Sequence, residues 1–215
     1  MHPSMTSVRH DEVIAPVADA GPAPVAAGLE ALVRRAGAIK GVPPVEKWHP
    51  PYCGDLDIRI KADGTWFYLG TPIGREPLVR LFASVLRKDE DGRTYLVTPV
   101  EKIGISVDDA PFVAVELHCE GEGEMARMTL RTNVGDVVEA GEAHPFRFVV
   151  DPANGGLKPY VHVRGRLEAR LTRAVMYDLV SHGSEADVDG VTWFGVWSAG
   201  WFFPICAAAE LERLA

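Results

Sequence analysis

The chain is poor in the features that most directly betray a chemistry. Only three cysteines, Cys53, Cys119 and Cys206, occur in 215 residues, and they lie far apart. Three thiols cannot all pair within one chain, so the count fits free thiols in a reducing cytoplasm better than a secreted disulfide framework. Basic residues are scarce: 22 Lys and Arg stand against 30 Asp and Glu, a net charge of −8 with histidine neutral. That balance excludes a broad nucleic-acid-binding face, which needs clustered cations to neutralise phosphates. C-x-x-C, H-E-x-x-H, G-x-S-x-G and Gly-Lys-Ser/Thr patterns are all missing. Zinc ligation, a hydrolase elbow and a phosphate loop therefore have no sequence signature, and no cofactor is expected.

Membrane and targeting segments are lacking too. The N-terminus has no cationic patch followed by an apolar core, so it does not read as a signal peptide. Val191–Ala209 is 19 residues without a charge, but Gly195, Gly200 and Pro204 interrupt it. Its aromatic spacing suits a buried pair of strands rather than a membrane span.

What is present reads as an ordinary globular chain. Hydrophobic residues make up 47% and charged residues 24%, enough for a core without metal or disulfide staples. Residues 1–24, rich in Pro and Ala without period, read as a flexible arm. Residues 25–45 read as a short helix, with Leu29, Leu32 and Val33 on one face and Arg34 and Arg35 in its last turn, then a Pro-containing linker.

Beyond residue 46 the pattern turns to short strands. Leu56, Ile58 and Ile60 alternate with charged residues, and Asp63-Gly64 supplies a hairpin turn into Thr65–Leu69. Pro77 opens a helix region carrying Leu78, Leu81, Phe82 and Val85 that is expected to end at Asp91-Gly92, followed by a strand at Tyr95–Thr98. A meander runs through Ile103–Val107, Val113–Cys119 and Ala126–Leu130. A second hairpin (Phe146–Val150 and Tyr160–Val163) then leads through Arg164-Gly165-Arg166 into a helix with Leu167, Leu171, Val175 and Leu179 at i, i+4 spacing.

The predicted fold is α+β, with two hairpin–helix–strand units at an offset of about 90 to 95 positions joined by an antiparallel meander. They form one body or two small packed subdomains. The first unit spans residues 46–132 and the second, with aromatic C-terminal strands, residues 133–215. Acidic residues gather in turns, at Asp89–Asp91, Asp108-Asp109, Glu120–Glu124 and Glu185–Asp189.

Against that acidic rim a few cations suggest a site. The turn Gly70–Arg75 precedes a helix, where backbone N–H groups and an arginine can hold a phosphate or carboxylate. Arg164 and Arg166 flank Gly165 at the corresponding place in the second unit, so two helix starts are expected to face one small anionic ligand or a protein segment. His162 shares a strand face with Tyr160 and Arg164, and Lys102 is a further anion contact. Each also has a plainer reading, as a tight turn with a surface arginine, a half-exposed strand histidine or a solvated lysine.

Two other classes stay open. One is a hydrolase or transferase using Cys53, His162 or a carboxylate. The other is an interaction or dimerisation module in which Trp193, Phe194, Trp197, Trp201, Phe202 and Phe203 dock a protein partner or second copy in a homodimer.

Several segments together resemble the bacterial "domain of unknown function 1285" family. They are Pro43-Pro44-Val45-Glu46-Lys47-Trp48, Cys53-Gly54-Asp55, Asp63-Gly64-Thr65-Trp66-Phe67 and Ile73-Gly74-Arg75. Leu96–Lys102, Arg131–Asp136 and Pro159–Arg164 complete the set. The resemblance covers roughly Gly41 to Phe203. It implies a cytoplasmic bacterial protein of α+β fold with repeated motifs, supplies no catalytic residues, and favours a binding or signal-transduction module.

Overall fold

The computed structural model describes residues 25–38, 43–151 and 155–211. The arm read over residues 1–24 lies outside the described residues. The first helix, α1 (Val25–Gly37), buries Leu32 and Ala36 and ends on Arg34 and Arg35.

Six strands follow. They are β1 (Tyr52–Ile60), β2 (Trp66–Tyr68), β3 (Thr71–Pro72), β4 (Leu86–Lys88), β5 (Thr94–Val97) and β6 (Lys102–Val107), with helix α2 (Glu76–Ser84) between β3 and β4. The sheet order is β3-β2-β1-β6-β5-β4. The chain starts at the centre, meanders to one edge, crosses by α2 to the other edge and meanders back. Its first and last strands thus meet in parallel, and every other pair is antiparallel. Leu56, Ile58 and Ile60 turn into the core, while Asp57 and Arg59 face water. Phe82 of α2, fully buried, stacks on the buried Trp66 with ring centroids 6.2 Å apart.

The second sheet repeats this path. Strands β7 (Phe112–Glu120), β8 (Arg127–Thr132), β9 (Val137–Glu139), β10 (Phe146–Val150), β11 (Leu157–Arg164) and β12 (Leu167–Leu171) take the order β10-β11-β12-β7-β8-β9. Again the first and last strands pair in parallel at the centre. The correspondence reaches side chains: Arg87 of β4 lies opposite Tyr95 of β5, and Arg147 of β10 lies opposite Tyr160 of β11. Each phenol donates to an aspartate, Tyr95 to Asp91 at 2.5 Å and Tyr160 to Asp109 at 2.7 Å. One core runs through both sheets, joining Ile58 and Phe82 to Phe112, Leu130 and Leu167. The sheets come close at Gly64, where a Cβ would lie 2.7 Å from Asn133 Nδ2 and 2.9 Å from Val113 Cγ2.

Helix α3 (Arg173–Ser181) and a short helix α4 (Ala208–Leu211) bracket a three-stranded antiparallel sheet. Its strands are β13 (Ser184–Val188), β14 (Val191–Ser198) and β15 (Trp201–Ala207). The charge-free stretch is therefore β14 and β15, and no helix among the described residues is long and apolar enough to cross a membrane.

The α+β class and the twofold repetition hold, while the phase of the repeat differs from the expected one. Equivalent strands are offset by about 60 to 65 positions, from Tyr52 to Phe112 and from Lys102 to Leu167. The units change between Val107 and Phe112 rather than after residue 132, which lies at the end of β8 inside the second sheet. The predicted helix from Leu167 divides: Leu167, Ala169 and Leu171 alternate into the core as β12, and the helix starts only after Thr172. Thr172 is the N-cap, its side-chain oxygen accepting from Val175 N at 3.3 Å. The acidic run Glu185–Asp189 is mostly strand β13, with Glu185 and Asp187 on its wet face.

Candidate ligand-binding groove

The expected pairing of Arg75 with Arg164 fails on topology. Arg164 ends β11 and Gly165-Arg166 is the hairpin turn into β12, not a helix start. Arg164 donates to Asp136 Oδ2 at 2.6 Å and to the carbonyl of Ala83 at 2.8 Å, and its guanidinium lies 4.8 Å over the Phe112 ring. Ala83 is in the last turn of α2, whereas Arg75 is that helix's N-cap. The two arginines therefore stand at opposite ends of α2, about 12 Å apart along its axis. They do not share a cleft.

Arg166 borders a different cavity, of ≈ 480 Å³, where the two units meet. It is lined by Glu46, His49, Arg87, Asp89, Glu90, Asp91 and Arg166. Arg87, 8% exposed, donates to the carbonyls of Val45 and Trp48 at 2.8 and 2.7 Å and grips Asp89 through two nitrogens. Lys102 Nζ reaches the same carboxylate at 2.9 Å. Burial opposes ionisation of Asp89, but the bonds from Arg87 and Lys102 outweigh it and hold the carboxyl below its ordinary range. Arg166 pairs with Glu90 at 2.8 Å across the unit boundary. Four carboxylates face two arginines in this lining, and the cations are already matched. An anion would gain little here and would meet Glu46 and Asp91.

His162 is also committed to the fold. Its ring nitrogens lie 2.9 and 2.8 Å from the carbonyl oxygens of Ala143 and Gly165, and the ring stacks on His144 at 5.7 Å. The residue braces the turn that carries Arg166. Cys53 is exposed and its thiol donates to Pro51 O. Burial pushes the Cys119 thiol up, with Asp178 adding to the effect, the opposite of an activated nucleophile. Among the described residues no group of His, Cys, Asp and Glu forms a metal site. At the C-terminus Val196 and Phe203 are buried, Trp197 and Phe202 half-buried, and Trp201 is 49% exposed.

Arg75 has a different setting. It lines a groove of ≈ 460 Å³ between α1 and α2 with Glu30, Val33, Arg34, Pro77, Leu78 and Leu81. The α2 N-terminus opens here without a side-chain cap, adding the positive end of the helix dipole. Neither Arg34 nor Arg75 has a carboxylate partner among the described residues, whereas the neighbouring Arg35 is held by Glu101 at 2.5 Å. The lining carries two arginines and one glutamate, a net charge of +1 in a chain of −8. Sequence reasoning found Arg75 but not Arg34, which looked like one of two ordinary last-turn charges. The available signal was its place next to Val33 on the face that meets α2.

"Domain of unknown function (DUF1285), N-terminal domain" matches residues 43–110, and "Protein of unknown function (DUF1285), C-terminal domain" matches residues 111–205. The division coincides with the change from the first sheet to the second. A crystal structure of a DUF1285 family protein from Silicibacter pomeroyi DSS-3 is 52% identical, with a TM-score of 0.77, covering 85% of this chain and 98% of that one. A second, from Shewanella baltica OS155, is 27% identical with a TM-score of 0.47, covering 59% of this chain and 92% of that one. Among curated proteins none matches. With both family domains present in order over residues 43–205, this chain belongs to the DUF1285 family.

Proposed function

We propose that the protein is a cytoplasmic binding module, of the regulatory or sensor type, that takes a small anionic ligand in the groove between α1 and α2. The observation that carries this reading is the pair Arg34 and Arg75, which line one groove without carboxylate partners among the described residues, while Lys102, Arg164 and Arg166 are each bound to an aspartate or glutamate. A guanidinium with no internal partner keeps its donors for a carboxylate or phosphate. The widely spaced cysteines fit the reducing compartment this reading assigns.

The test is a thermal-shift panel of inorganic phosphate, nucleotides, acyl-CoA compounds and mono- and dicarboxylates on the full chain. A ligand at a hundred times its Kd stabilises by about 2.7 kcal/mol, which raises Tm by several degrees at this size. The shift is expected to vanish in Arg75→Gln and persist in Arg166→Gln. A shift that Arg75→Gln leaves intact refutes the assignment.

A second reading, association through the C-terminal sheet, is favoured by the half-exposed Trp201. It predicts a concentration-dependent mass in light scattering that Trp201→Ser abolishes.

A further inference from the structure

We infer that the ligand of the α1–α2 groove is a monoanionic amphiphile, a single aliphatic chain ending in a carboxylate. This rests on the reading of that groove as an anion site and adds the chemistry of the occupant.

The lining has two parts. Val33, Pro77, Leu78 and Leu81 give it an apolar floor, and Arg34 and Arg75 supply its two cations. A compact anion such as phosphate satisfies the arginines but leaves the floor in water. A neutral hydrocarbon covers the floor but removes water from two guanidinium groups and returns no hydrogen bond. A chain with one charged end meets both demands.

Charge count narrows the head group. Glu30 stands on the same groove, so the lining sums to +1, which matches one carboxylate and disfavours a di- or triphosphate. Arg34 belongs to α1 and Arg75 caps α2, so the two planar forks that line the groove come from different elements. The cavity of ≈ 460 Å³ lies within the range of small-molecule sites.

The test is calorimetric titration of the full chain with hexanoate, octanoate, decanoate and dodecanoate, with decanol, succinate and inorganic phosphate alongside. Each added methylene is expected to tighten binding by about fourfold until the floor is covered. Arg75→Gln and Arg34→Gln are each expected to weaken decanoate by about tenfold or more. Both side chains are off the core, so unligated Tm should stay at the wild-type value and report an intact fold. Decanol should bind more weakly than decanoate.

Phosphate or succinate binding as tightly as decanoate, with loss in Arg75→Gln, overturns the amphiphile and leaves the anion site standing. Decanoate binding that neither arginine variant changes overturns both. So does an absence of binding by every compound in the series.

Discussion

Arg164 Nη2 donates to the main-chain oxygen of Ala83 at 2.8 Å, so a turn of the second sheet closes the last turn of the first unit's helix. The same side chain reaches Asp136 and covers Phe112. Those contacts make it a strut between repeats and explain why a residue that looked like a ligand contact is not available for one.

Replacing that strut should cost stability and spare the groove. Arg164→Ala leaves a helix-end carbonyl and a carboxylate without their donor, a loss of about 1–3 kcal/mol. Chemical denaturation should show the drop, while titration of the variant with an anion bound by the wild type should give an unchanged Kd. Loss of binding with normal stability would return Arg164 to the site.

Tyr160 predicts an alkaline limit. Burial, then its bond to Asp109, pushes the phenol from 10.0 up to about 12. The folded state therefore keeps a proton that the unfolded chain releases. Its contribution is complete below pH 10 and is lost as pH rises through about 12. In Tyr160→Phe the fall in stability across that window should be shallower, as followed by denaturant midpoints at several pH values.

Asp89 predicts the opposite limb. Its carboxyl is held below the ordinary 3.8 despite burial, through Arg87 and Lys102. That stabilisation is complete above 3.8 and disappears as pH falls through the lower folded value. Asp89→Asn should be less stable at neutral pH by about 1–3 kcal/mol and should lose less on acidification than the wild type.

The C-terminal sheet is seated by a glycine. A Cβ at Gly183 would overlap Cζ, Cε1 and Cε2 of the half-buried Phe194 ring, which must shift to admit it. Gly183→Ala should lower Tm clearly, whereas Gly74→Ala, which meets nothing within 4 Å, should barely move it.

Local pattern made much of this fold legible. The alternation at Leu56, Ile58 and Ile60, the Asp63-Gly64 turn and the helix start at Pro77 each depend on neighbours in sequence and appear where the pattern puts them; that helix stops at Ser84, however, and Leu86–Lys88, expected to continue it toward Asp91-Gly92, form β4. Leu167, Leu171, Val175 and Leu179 misled because every second position of a strand that runs into a helix mimics an i, i+4 row. Thr172, a good cap in the middle of that row, marked the break.

The phase of the repeat was hidden for a different reason. It is defined by the parallel pairs β1–β6 and β7–β12, which join strands distant in sequence and leave no local trace. The candidate site was half legible for the same reason. Sequence shows where cations are, but not that Asp89, Glu90 and Asp136 claim Lys102, Arg166 and Arg164. Arg34 and Arg75 become a pair only when α1 lies against α2.

That pair is the centre of the account, and NMR mapping of the labelled protein titrated with decanoate tests it most directly. The account predicts that the guanidinium N–H signals of Arg34 and Arg75 and the methyls of Val33, Leu78 and Leu81 move together with one affinity. Shifts confined to Arg87 and Arg166 at the unit junction, or to Trp197 and Trp201 on the C-terminal sheet, would contradict it.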